Sequence, residues 1–133
     1  MARLRIPRIG LDDVVLEGIS KEKLAVAPGH YPRMPLPGDG GHAVLSAHRD
    51  SFFKRVGRLA GGDRISVLRP DGREILYEVA RSYIVHKSNR TVIVPREEEV
   101  LTLVTCYPFV YAGAAPYRYI VEALPAAPIS RPD

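Results

Sequence analysis

Short apolar runs, separated by proline and glycine, constrain the fold of this chain more than any other feature. Twelve prolines and eleven glycines are spread through the 133 residues. Both residue types oppose long helices, whereas frequent turns between short apolar segments are typical of β-sheets. The pattern therefore predicts an all-β fold of about eight short strands, which implies a closed or nearly closed barrel.

Local signals place most of the elements. Apolar runs bounded by turn residues predict strands over 3–6, 14–16, 41–48, 64–68, 74–85, 101–106 and 115–121. The Pro-Asp-Gly sequence at 70–72 predicts a hairpin. We expect a turn over 10–13, an irregular loop over 28–41, and short helices over 20–25 and 51–56. Ser20 and Asp50 are the expected caps of these helices.

Composition favours one folded domain. With 46% hydrophobic residues, the chain is expected to form a single compact domain over 1–125, with a flexible C-terminal tail over 126–133. The net charge of +4 is modest. The basic residues are scattered, without the dense tract or aromatic platform typical of nucleic-acid binding, so we expect no nucleic-acid partner.

The single cysteine, Cys106, ends an apolar strand immediately before the Tyr107-Pro108 turn. A lone cysteine is often only a small buried hydrophobic residue. Here His48 ends another predicted strand, and Arg118 begins the strand that follows the cysteine after a short loop. Because neighbouring strands joined by a short connection usually pair, Cys106 and Arg118 are expected to lie close together. These are the residue types that nucleophilic acyl transfer requires.

Three motifs then resemble one family. The sequences AHRDSFF, LVTCYPF and APYRYIV, together with the segment from Ala27 to Asp50, resemble the sortases, and class D sortases most closely. The TLVTC sequence ending at Cys106 is the most specific element. Ala47 stands where the family usually has glycine. The resemblance implies an eight-stranded sortase-type β-barrel with short attached helices, and a catalytic trio of His48, Cys106 and Arg118.

The resemblance also implies an activity. Sortases are cysteine transpeptidases that cleave a sorting signal of the LPxTG type at threonine. They transfer the acyl group through a cysteine thioester to an amine of the cell wall or of a pilin. The implied partners are surface proteins or pilins that carry a sorting signal, and an amine acceptor such as a peptidoglycan stem peptide. No cofactor and no metal are implied.

An apolar groove is expected to bind the Leu-Pro part of the signal. One side is predicted from the apolar run before Pro95, and the other from the cysteine motif and the 109–116 loop. The predicted substrate-binding residues are Val92, Ile93, Val94, Thr105, Tyr107 and Phe109. Of the other histidines, we expect His42 and His86 to be surface or hydrogen-bonding residues, and His30 to be either that or part of the groove.

Two alternatives come from other functional classes. The same Cys-His pair could serve a cysteine peptidase or a cell-wall peptide hydrolase, in which water is the acceptor. A non-catalytic β-barrel binding module with an incidental buried thiol is the other alternative.

The resemblance implies a location as well. Similar enzymes are held at the outer surface of the bacterial membrane by an N-terminal hydrophobic helix, and the sequence shows no segment of that length. We therefore expect an excised catalytic domain of an extracytoplasmic, membrane-anchored surface enzyme. The alternative is a protein that is naturally without an anchor.

Overall fold

Eight strands close into a barrel. A computed structural model describes residues 2–48, 52–108 and 114–126. The strands are β1 (Ala2–Ile6), β2 (Leu11–Glu17), β3 (Gly29–His30), β4 (His42–Ser46), β5 (Arg64–Leu68), β6 (Glu74–His86), β7 (Val100–Tyr107) and β8 (Tyr117–Pro125). Their order around the barrel is β1-β2-β3-β4-β7-β8-β6-β5. The predicted fold class is confirmed.

Most neighbouring strands are antiparallel, but β2 pairs with β3 and β4 pairs with β7 in parallel. The hairpin predicted across 70–72 is confirmed by the pairing of β5 with β6. Side chains that alternate along the strands fill the barrel interior with apolar groups. The largest of these are Leu4, Ile6, Leu45, Ile65, Tyr77, Leu101 and Leu103, each 1% exposed or less.

β7 lies between β4 and β8 and is buried along both faces as far as residue 105. Leu101 and Leu103 face the barrel interior. Val104 faces outward, where it forms a second apolar cluster with Val44 and Ile120. We call these three residues the outer cluster. Loops cover it from outside, so this part of the barrel has apolar packing on both sides of the sheet.

One short helix, α1 (Lys21–Leu24), has the predicted cap, because the Ser20 hydroxyl accepts a hydrogen bond from the Lys23 amide. The helix predicted over 51–56 is wrong within its described part. Residues 52–55 form turns, and a 3₁₀ helix covers Val56–Arg58. Phe53 and Val56 are both fully buried. Because a 3₁₀ helix has three residues per turn, a tight turn at this spacing directs both side chains toward the core.

Two loop predictions also need correction. The turn expected over 10–13 ends at Gly10, which has a left-handed φ of 66° after a 3₁₀ helix over Pro7–Ile9, and β2 begins at Leu11. The loop expected over 28–41 contains the two-residue β3. In both places pairing with another strand, β1 in the first and β4 in the second, forms a strand where the local sequence signals a turn or a loop.

Several predictions fall outside the described residues, including the capping role of Asp50 and most of the 126–133 tail. Ala126 is described, and its amide donates to the Leu76 carbonyl at the end of the barrel. Among the described helices, none has the length and apolar character that crossing a bilayer requires.

Candidate active site

The ends of β4 and β7 lie side by side because the two strands are parallel. Ser46 pairs with Val104, and the Ala47 amide donates to the Val104 carbonyl at 3.3 Å. In return, the Thr105 hydroxyl donates to the Ala47 carbonyl at 2.9 Å. These contacts continue the register one residue past β4. His48, the next residue, therefore follows beside the end of β7, the strand that carries Cys106.

Arg118 lies on the opposite side of the cysteine. Cys106 and Arg118 are directly paired in the antiparallel register of β7 and β8. Directly opposed residues have Cβ atoms about 4.5–5.5 Å apart and point to the same face of the sheet. Counting by two from Val104 and Ile120 puts both side chains on the face of the outer cluster. Cys106 and Arg118 therefore lie side by side on β7 and β8, and His48 follows the end of β4, the strand on the other side of β7.

The thiol of Cys106 is free and half-buried. It lies at the edge of the packed region, since Thr105 before it is buried and Pro108 after it is half-buried. His48 is exposed, two residues past the end of β4. The chain folds back after it, because the amide of the buried Phe53 donates to the His48 carbonyl at 3.2 Å.

Arg118 carries a half-buried positive charge without a carboxylate partner in the described structure. Its Nη1 donates to the carbonyls of Ala115 and Tyr117, at 3.2 and 2.9 Å. Its Nε and Nη2 atoms have no hydrogen-bond partner among the described residues. The other half-buried arginines that the structure describes are all paired with carboxylates: Arg3, Arg69 and Arg96. Arg118 thus keeps donors available beside the thiol.

Two residues that were not predicted from the sequence, one aromatic and one apolar, lie beside the outer cluster. Tyr31 and Met34, in the loop after β3, pack against the outer cluster. Burial raises the pKa of the Tyr31 phenol, an effect that the charge of Arg118 opposes and that of Cys106 reinforces. These interactions identify Tyr31 as a neighbour of the candidate site. Nothing in its sequence context indicates this position, which depends on the pairing of β3 with β4.

The predicted substrate-binding residues have different surroundings. Val92 and Ile93 pack against the outer cluster, while the Val94 carbonyl accepts a hydrogen bond from His42. Thr105 is 2% exposed and is engaged with Ala47. The ring of Tyr107 lies 5.8 Å from that of Tyr119. Phe109 lies outside the described residues.

The other histidines are held by internal contacts. His30 is 4% exposed, and its ring nitrogens lie 2.8 Å from a Glu17 carboxylate oxygen and 2.8 Å from the Pro35 carbonyl. His86 is exposed and bonds to the Ser88 hydroxyl. Ala47, where glycine is usual in the family, does not have a positive φ, so alanine fits the backbone there.

Comparison with known proteins identifies the family. A family model described as the sortase domain matches residues 4–126. Sortase D of Bacillus subtilis (strain 168) is 41% identical over 119 residues, which cover 89% of this chain and 60% of that protein. The chain therefore spans less than two thirds of the length of this curated relative.

Solved structures give the same result. The catalytic domain of SrtD from B. anthracis is 38% identical, with a TM-score of 0.78, covering 95% of this chain and 86% of that one. A sortase D5 transpeptidase of Clostridium perfringens is 26% identical, with a TM-score of 0.83, covering 95% and 78%. The predicted family is confirmed by these matches and by the family model: the chain belongs to the sortase family.

Proposed function

We propose that this chain is the catalytic domain of a cysteine transpeptidase. Its substrate would be a surface protein with an LPxTG-like sorting signal, cleaved after threonine and transferred through a Cys106 thioester to an amine. One observation carries the proposal: Cys106 is paired with Arg118 across β7 and β8, and β4, which ends two residues before His48, pairs with β7 on its other side. A nucleophile, a proton carrier and a fixed cation at one end of the barrel are the groups that acyl transfer needs.

In the first half of the reaction, the Cys106 thiolate attacks the threonine carbonyl and forms a C–S bond. The carbonyl electrons move to oxygen and give a tetrahedral oxyanion. When the oxyanion collapses, the C–N bond breaks, and protonated His48 gives its proton to the departing amine. A thioester and a free amine remain.

In the second half, an acceptor amine attacks the thioester carbonyl while neutral His48 takes a proton from it. The C–S bond breaks, the thiolate leaves, and a new amide joins the acyl group to the acceptor. The acceptor class we propose is an amine of the cell wall, such as a peptidoglycan stem peptide, or of a pilin. Water in place of the amine would make the same residues a peptidase.

Arg118 is suited to both halves because its charge is fixed and its donors are directional. The Nε and Nη2 atoms, which have no hydrogen-bond partner in the described part of the chain, could hold the oxyanion that forms one strand away. Carbonyl contacts at Nη1 keep the guanidinium in place before substrate binds, so little reorganisation is required.

For the sorting signal we propose a groove along the outer cluster. Val92 and Ile93 supply apolar surface on one side, and Val94 belongs to the same segment. Tyr31 and Met34 contribute on the opposite side, and Tyr107 and Phe109 at the cysteine end. The hydrogen bond from Thr105 to Ala47 supports a different role for Thr105, which is to fix the backbone before His48.

By analogy with the family, we place this enzyme on the outer surface of a bacterial cell, attached to the membrane by a segment outside this sequence. An exposed site at one end of the barrel is compatible with large protein substrates.

The proposal is tested by transpeptidation with LPxTG peptides randomised at x, together with a triglycine acceptor. Mass spectrometry should detect a peptide ending at threonine and joined to glycine. The product should be absent with C106A and nearly absent with H48A or R118A. Hydrolysed peptide alone at high triglycine would instead support the peptidase, and no product with any library member would refute the proposal.

A further inference from the structure

The segment over residues 91–95, which we call the wall segment, covers the outer cluster without regular secondary structure. Within the described chain, no backbone amide or carbonyl of residues 91–98 pairs with another backbone group. Val92 and Ile93 are nevertheless half-buried in defined positions. Side-chain contacts must therefore hold this segment against the barrel.

His42 provides such a contact from the first position of β4. It is 1% exposed, and its Nδ1 lies 2.7 Å from the Val94 carbonyl oxygen. Its Nε2 lies 2.6 Å from the hydroxyl of Thr102, which is also 1% exposed. Both ring nitrogens of this buried histidine are therefore occupied.

The hydrogen-bond partners of His42 determine which ring nitrogen carries the proton. A carbonyl oxygen can only accept, so Nδ1 of His42 carries a hydrogen and donates it to Val94. In the neutral ring Nε2 is then an acceptor, and the Thr102 hydroxyl donates to it. The two strands β4 and β7 thus fix one tautomer, and that tautomer presents a donor to the wall segment.

Other contacts bring the residues next to the wall segment close to the barrel, but they do not replace the hydrogen bond from His42 to Val94. In the described structure, the bond from His42 is the single hydrogen bond between residues 91–95 and a barrel strand. Just beyond the segment, Arg96 pairs with Glu122 of β8 at 3.2 Å through a long side chain. A Cβ at Gly41 would lie 3.2 Å from the Arg96 carbonyl, so the backbones also approach closely there.

We propose that His42 is a positioning residue that fixes the wall segment through the Val94 carbonyl and thereby sets the affinity for the sorting signal. The effect on affinity rests on the proposed function, whereas the effect on the wall segment does not. His42 lies far down the strand from His48 and takes no part in the chemistry.

Three variants separate this role from a general loss of stability. H42L removes the donor. H42N keeps an amide donor near the position of Nδ1 but loses the bond to Thr102. T102V is the matched control, because it removes the other buried hydrogen bond of His42, at Nε2, while preserving the bond to Val94.

The mobility of the wall segment is measured first, by backbone ¹⁵N relaxation at residues 91–94 of the full chain without substrate. We expect the order parameters there to fall from about 0.85 to about 0.6 or lower in H42L, and to stay near wild type in H42N and T102V. Unchanged order parameters in H42L, or an equal fall in T102V, would overturn the inference. If H42L fails to fold, long-range ¹H–¹⁵N spectra of the wild type decide, since a neutral ring protonated at Nε2 alone contradicts the bond.

The second readout is kinetic. With an LPxTG peptide that the wild type cleaves, H42L should raise KM roughly tenfold with little change in kcat, and H42N should restore KM. If the order parameters fall but KM does not rise, the tether to Val94 is supported, the link to affinity is refuted, and the place of Val92–Val94 in the groove is lost.

Discussion

Tyr77 and Glu99 form a buried junction whose strength can be estimated. The Tyr77 ring is fully buried, and its hydroxyl donates to Glu99 Oε2 at 2.6 Å. The same carboxylate accepts the amides of Gly38 and Gly40, at 3.1 and 2.9 Å. Glu99 thereby links β6 and the start of β7 to the loop between β3 and β4.

The informative perturbation is Tyr77→Phe, which removes the hydroxyl and preserves the ring packing. A hydrogen bond to a charged group contributes about 1.5–3 kcal/mol. Glu99 keeps its two backbone donors in this variant, so we expect a loss near the lower limit, about 1.5–2 kcal/mol. For a domain of this size, that corresponds to a Tm lower by about 5–8 °C.

Glu99→Gln should cost more, because a single amide oxygen would have to serve the donors that two carboxylate oxygens now accept. Urea unfolding of both single variants and the double variant gives the coupling between the two side chains. Tyr83→Phe is the control, since its hydroxyl has no hydrogen bond among the described residues, although Arg81 lies over its ring at 4.7 Å. If Tyr77→Phe has the same free energy of unfolding as the wild type, or if the two substitutions show no coupling, the hydrogen bond between Tyr77 and Glu99 does not stabilise the fold.

The pH dependence provides an independent check. Burial, followed by the hydrogen bond and charge of Glu99, raises the pKa of Tyr77 well above its ordinary value. Stability from a raised pKa is complete below the unfolded value, about 10 for tyrosine, and is lost as the pH rises above it. The wild type should therefore lose more stability than Tyr77→Phe above about pH 10.

The remaining predictions concern the candidate active site and the stability of the protein at acid pH. Arg118→Lys should lower kcat/KM for peptide cleavage by roughly a hundredfold, because lysine cannot present the same donors to the oxyanion. Thr105→Val should lower kcat by about tenfold through loss of the bond to Ala47, and Thr105→Ser should restore it; equal activity of both variants would contradict this. The Ala60 amide, then Arg8, lowers the pKa of Asp63, so its contribution to stability is present at neutral pH and lost below about pH 4. Asp63→Asn should show a smaller fall in urea midpoint between pH 6 and pH 3 than the wild type.

Local chemistry explains what could be predicted from the sequence. The 70–72 hairpin and the Ser20 cap depend on neighbouring residues, and both are confirmed. Pairing Cys106 with Arg118 required only a short connection between consecutive strands. The family motifs supplied His48, which no local rule would have joined to a residue 58 positions away.

Long-range pairing explains what could not be predicted. The parallel contact of β4 with β7 joins distant segments, and nothing in either segment specifies its partner. The strand β3 has two residues and exists because β2 and β4 flank it. Tyr31 and His42 acquire their surroundings from these contacts, so their sequence context alone did not indicate their positions beside the outer cluster.

Acyl transfer through Cys106 is the central step of the proposed reaction, and the intact mass of the protein tests it directly. The domain is incubated with an LPxTG peptide that it cleaves, without an acceptor amine, and quenched in acid. We predict a mass increase equal to the peptide fragment ending at threonine less one water, located at Cys106, absent in C106A and lost when triglycine is added before the quench. Cleavage without any adduct, or cleavage that persists in C106A, would contradict a Cys106 thioester.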